Sequence, residues 1–84
     1  MRLKGDVVSV GEVLASAREA AGMTLDDVAG QTKIRPTILA AMESDDFTAC
    51  GGDAYARGQI RSIAQVVGLD PEDVVAMFDA EHGV

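Results

Sequence analysis

The chain has 84 residues, 14 of them acidic against 7 basic, for a formal net charge of −7. That length suits one domain and leaves no room for two. A make-up of 48% hydrophobic and 25% charged residues is that of a globular chain. The negative balance argues against a generic binder of nucleic acid or anionic membrane, whose affinity comes from basic surface.

Residues 1–8 carry no helical pattern and read as a flexible arm. The first helix begins after Ser9, a candidate N-cap, with Glu12 three residues later to complete a capping box. Val10, Val13, Leu14, Ala17 and Ala21 follow at helical spacing, and Gly22 ends the helix in a left-handed turn. Thr24 caps the second helix and Asp27 fills its capping-box position. Leu25, Val28 and Ala29 form the buried face, which closes near Thr32. The third helix starts at Arg35-Pro36, since proline is well placed in a first turn. Ile38, Leu39 and Met42 carry its apolar side up to Glu43, and Phe47 anchors the connection that follows. Thr48 to Gly52 reads as a loop and Asp53 as the next cap. The fourth helix then runs from Ala54 to Val67 with Ala56, Ile60, Ile63, Ala64 and Val67 on one face. Gly68 closes it. Asp70 and Pro71 open a fifth helix, with Val74, Val75, Met77 and Phe78 on its apolar side. Residues 81–84 read as a frayed tail. Nothing alternates with period two, so no sheet is expected. The fold class is all-α, a five-helix bundle over residues 9–80.

Parts for catalysis are missing. Cys50 would need an activating base, and His82, the one histidine, lies near the chain end. A single cysteine excludes a disulfide within the chain and a multi-Cys metal site. Six of the 14 carboxylates stand at helix starts (Glu12, Asp26, Asp27, Asp53, Asp70, Asp73), where capping and the helix dipole explain them. Asp45-Asp46 is too short for a metal loop. No catalytic residue, metal set or cofactor is expected. No apolar run approaches a bilayer span and no signal peptide is evident, so the expected compartment is the cytoplasm.

The second and third helices, with their short turn, form a helix-turn-helix from Thr24 to Glu43. In DNA-binding versions the third helix enters the major groove and its outward side chains read bases. Here that face is Arg35, Pro36, Thr37, Ala40 and Ala41, of which only Arg35 is a strong reader. Glu43, Asp45 and Asp46 put negative charge beyond the helix end. The unit therefore reads first as a scaffold. DNA contact through Lys33, Arg35 and Thr37 is the alternative.

The fourth helix holds Arg57 and Arg61, four apart on one face, and Gly58 between them. Mid-helix glycine costs about 1 kcal/mol relative to alanine, which points to close backbone approach, either to another helix or to a partner. Two readings of the arginines stand side by side. One is ion pairing with carboxylates of a neighbouring helix. The other is a small basic patch with Tyr55 and Gln59 for an acidic protein surface.

Taken in order, Gly11-Glu12-x-Leu14, Ala17-Arg18-Glu19, Gly22-Met23-Thr24-Leu25, Val28-Ala29, Thr32-Lys33-Ile34-Arg35, Leu39-x-x-Met42-Glu43, Asp46-Phe47, Tyr55-x-Arg57-Gly58-x-Ile60-Arg61-x-x-Ala64 and Gly68-Leu69-Asp70 resemble the cytoplasmic N-terminal domain of the RodZ family. The helix-turn-helix portion is shared with lambda-repressor-like regulators; the Thr-Lys-Ile-Arg and Tyr-x-Arg-Gly segments are more specific. The resemblance implies a non-enzymatic interaction domain of a single-pass membrane protein of bacterial cell-shape control. Such a domain binds the actin-like protein MreB largely through its fourth helix, at the cytoplasmic face of the inner membrane. The membrane would be reached only through a segment outside this chain. The residues expected at the partner are Tyr55, Arg57, Gln59 and Arg61. The family usually places aromatics at the positions of Gln59 and Ile63, on the face associated with MreB; this chain lacks both rings.

Overall fold

Two capping boxes start the molecule. In the computed structural model, which describes residues 8–82, α1 spans Val10–Ala20 and α2 spans Leu25–Thr32. Ser9 Oγ accepts from Glu12 N at 3.1 Å and Thr24 Oγ1 accepts from Asp27 N at 3.0 Å, with each acidic side chain reaching back to its cap. Between the helices the chain turns through Gly22 at φ 72°. The Met23 and Gly22 amides donate to Arg18 O and Glu19 O, satisfying carbonyls that the end of α1 would leave bare.

α3 is Pro36–Glu43, with Arg35 at the N-cap. Phe47 then turns the chain inward, and Thr48–Cys50 form a short 3-10 turn where the sequence predicts only loop. α4 is Asp53–Val67 and α5 is Pro71–Glu81. The five helices, with no strand among the described residues, form the expected all-α bundle. α4 lies at its centre and packs on α5, α2 and α1. Leu14, Leu39, Met42, Ile60 and Phe78 are buried to within 2% of full enclosure, so the core is aliphatic with one inner ring. Phe47 meets Phe78 edge-on at 5.1 Å, the anchoring role expected of it.

Three further details depart from the sequence reading. Asp53 is not the cap of α4: Gly52 is, at φ 124°, a backbone state that side chains rarely adopt. Asp53 is instead the first helical residue, where its charge still faces the positive end of the helix. Gly58 does not mark a close approach to another helix, because a Cβ there would meet nothing within 4 Å. The close approach is at Gly11, where a Cβ would stand 2.6 Å from Glu43 O and 2.7 Å from Met42 O. Finally, Glu81 and His82, read as the start of a tail, are engaged. Glu81 Oε2 accepts from Val10 N at 2.9 Å, and His82 stacks on Phe78 at 4.3 Å. Residues 1–7 of the expected arm and 83–84 of the expected tail lie outside the described residues.

The start of α1 is thus held from three directions. Ser9 caps it locally, Glu81 reaches Val10 N from α5, and Asp45 Oδ1 accepts from Gly11 N at 2.8 Å. Asp45 sits at φ 65° to do so, an unusual backbone state for a residue other than glycine.

Candidate nucleic-acid and protein interface

A helix turns about 100° per residue, so the residues of α4 divide into flanks around the buried stripe. Ala56, Ile60, Ile63, Ala64 and Val67 are that stripe. Ile63 is 3% exposed, so it fills the core and does not share an outer face with Gln59.

Arg57 and Arg61 occupy the flank towards α5. Arg57 Nε donates to Asp79 Oδ1 at 2.7 Å, and its guanidinium lies 6.0 Å from the centre of the Phe78 ring. Arg61 Nε donates to Glu72 Oε2 at 2.9 Å, a bond that raises the pKa of the guanidinium. Both arginines therefore engage α5. They are separated by roughly a third of a turn from the flank that carries Tyr55, Gly58, Gln59 and Ser62.

This second flank faces the turn between α2 and α3. Thr32 builds the turn: its hydroxyl donates to Val28 O at 2.8 Å and accepts from Ile34 N at 3.2 Å. Ile34 is thereby sunk into the core at 8% exposure, and Lys33 is turned outward at φ 64°. Together, Lys33, Tyr55, Gly58, Gln59 and Ser62 line an open groove of about 380 Å³. Tyr55 is 69% exposed, whereas Phe47 and Phe78 are both buried. Gln59 Oε1 is buried and accepts no hydrogen bond. One member of the DNA-contact set, Lys33, and two of the partner-contact set, Tyr55 and Gln59, therefore meet in one place. Sequence reading kept these two sets apart, and no spacing rule would join a turn residue to a helix two elements later.

The cations sharpen the picture. Arg18 binds Glu43 through two nitrogens at 2.7 and 3.0 Å, a pairing that raises its pKa, and its third contact is Met23 O at 3.0 Å. With Arg57 and Arg61 also paired, Lys33 and Arg35 are the two described cations without an ion pair. Arg35 is exposed at the start of α3 and its side chain makes no capping bond. Thr37 is exposed beside it. The carboxylates expected to repel phosphate beyond α3 are turned to other uses. Glu43 holds Arg18, Asp45 holds Gly11 N, and Asp46 accepts from the hydroxyl and amide of Thr48, which lowers its pKa.

Cys50 is buried, and burial together with nearby Asp46 pushes its thiol pKa up, which disfavours the nucleophilic thiolate. Among the described residues, no three His, Cys, Asp or Glu side chains are placed to hold a metal ion, and no helix is long and apolar enough to cross a membrane.

A helix-turn-helix domain family matches residues 13–74. The cytoskeleton protein RodZ of Streptococcus pneumoniae is 36% identical over 72 residues, which cover 86% of this chain. The chain belongs to the RodZ-type helix-turn-helix family. YmfM, a membrane protein of Bacillus subtilis, is 36% identical over 52 residues, or 62% of the chain. The RodZ-type domain spans only 26% of the pneumococcal relative and 18% of the Bacillus one. In three dimensions it is similar to YmfM of Staphylococcus aureus, which has been put forward as a DNA-binding membrane protein. The TM-score is 0.74 at 34% identity, covering 81% of this chain and 83% of that one.

Proposed function

We propose that this RodZ-type domain is a cytoplasmic docking module of a membrane-anchored cell-shape protein, and that an MreB-like filament protein binds along the groove between α4 and the α2–α3 turn. The observation that supports this most is the meeting of exposed Tyr55, unpaired Gln59 Oε1 and unpaired Lys33 in one groove. Exposed tyrosine beside unsatisfied polar groups is the composition of a protein interface, where such rings often dominate the energy. The mechanism is rigid display, with no chemical step. In this reading Tyr55 and Gln59 contact the partner, while Arg57 and Arg61 hold α5 against α4 and present the helix.

Co-sedimentation with MreB-like filaments tests the reading. Tyr55→Ala and Lys33→Glu are expected to weaken capture tenfold or more, about 1.4 kcal/mol or above, with circular dichroism unchanged. Undiminished capture by Tyr55→Ala would overturn it.

A second reading is DNA contact through Lys33, Arg35 and Thr37, favoured by the two unpaired cations beside the helix-turn-helix and by the Staphylococcus relative. Two phosphate contacts give a salt slope of only about −1.8, and the chain's charge of −7 opposes approach. This places DNA behind protein docking. Sequence-specific binding lost on Arg35→Ala would reverse that order.

A further inference from the structure

Gln59 Oε1 is buried at the wall of the groove with no donor. A buried carbonyl without a partner is rare in folded proteins, because its hydration is lost and nothing replaces it. Lys33, on the same groove, carries an ammonium with no ion pair. It does so at φ 64°, a turn position where glycine is the usual choice. Gly58 leaves the groove floor open, since a Cβ there would meet nothing within 4 Å. None of the residues lining the groove is acidic, in a chain with 14 acidic residues.

We propose that the groove takes an acidic protein segment. A carboxylate of the segment pairs with Lys33, an N–H group of the segment donates to Gln59 Oε1, and an apolar side chain covers the Tyr55 ring. The terminal torsion of a glutamine is soft, so the amide turns towards the groove as the segment enters. A basic segment would meet Lys33 and find no carboxylate. Gln59 thereby makes this groove select by hydrogen bonding. The inference rests on the docking role proposed above for the same face and names the chemistry of the occupant.

Phage-displayed random peptides of fifteen residues, selected on the intact chain, test it. The recovered peptides are expected to be rich in Asp and Glu. Gln59→Leu should weaken their binding about tenfold, the loss of one interfacial hydrogen bond. The same change should raise the melting temperature of the unbound domain, because the unpaired carbonyl is gone. Gln59→Met, close in shape, should repeat both effects, and Lys33→Ala should abolish the preference for acidic peptides. A basic or purely apolar consensus, no enrichment, or unchanged binding by both Gln59 variants would overturn the proposal. Two failures are distinguishable. If Tyr55→Ala weakens the peptides while Gln59→Leu does not, the face docks partners without the glutamine bond. If Tyr55→Ala leaves acidic peptides bound as before, they dock elsewhere and the docking role of this face fails as well.

Discussion

On the flank of α4 that faces α5, Arg57 and Arg61 reach carboxylates at 2.7 and 2.9 Å. On the flank that faces the α2–α3 turn, the Gln59 carbonyl and the Lys33 ammonium have no such partner among the described residues. One helix thus carries a side whose arginines are ion-paired and a side whose polar groups are not. The comparison teaches that a pair of arginines at helical spacing says little about a binding patch. What decides is whether the neighbouring helix brings carboxylates to the same height. Here Asp79 and Glu72 do, from 22 and 11 residues away.

The fixed side extends from α5 to the start of α1, and the largest expected effect lies there. Gly11→Ala forces a methyl group against two backbone carbonyls of α3, so a loss of about 3 kcal/mol is expected, read as a lower midpoint of urea unfolding. A variant as stable as the parent would show that the α1–α3 contact yields easily, and the contrast between fixed and open sides would weaken. Next is Arg57→Ala. It removes a half-buried ion pair and the cover over the Phe78 ring, for about 1 kcal/mol of stability, with partner capture retained. A larger effect on capture than on stability would move Arg57 to the binding side. Lys33→Gly has the opposite sign. Relief of the left-handed backbone should stabilise the domain by about 0.5–1 kcal/mol while binding declines. Stability and binding falling together would mean that Lys33 belongs to the fold.

The smallest effect is in acid. Asp27 is held below the usual carboxylate range by bonds from the amide and hydroxyl of Thr24, and Asp46 by bonds from the hydroxyl and amide of Thr48. A carboxylate whose folded pKa is depressed adds stability above its unfolded value, about 3.9 for aspartate, and loses it as pH falls through the folded one. Melting temperature should therefore decline below about pH 4. Thr24→Val should flatten part of that decline, and an unchanged pH profile would remove Asp27 from the account.

Helix punctuation was legible because caps are local. Ser9 with Glu12, Thr24 with Asp27, Pro36, and Asp70 with Pro71 act within four residues, and each stands where the spacing predicts. The cap of α4 was not legible. Gly51 and Gly52 both permit a positive φ, and only the packed chain shows that Gly52 takes the cap and Asp53 enters the helix. The reason for Gly11 was hidden in the same way, since the carbonyls that exclude a side chain belong to α3. Tyr55 and Gln59 were legible as positions of α4 off its apolar stripe, Tyr55 exposed and Gln59 half-buried. Their meeting with Lys33 depends on how α2 crosses α4, which no local pattern encodes.

The hydrogen bond from Val10 N to Glu81 Oε2 joins the first helix to the last. The path of the backbone from Val10 to Glu81 therefore closes almost into a ring. A circularly permuted chain, opened between Gly51 and Gly52 and joined by a short linker from His82 to Ser9, would keep all five helices intact and should reach the same fold. The layout of helices around the core is then independent of the order in which the chain visits them.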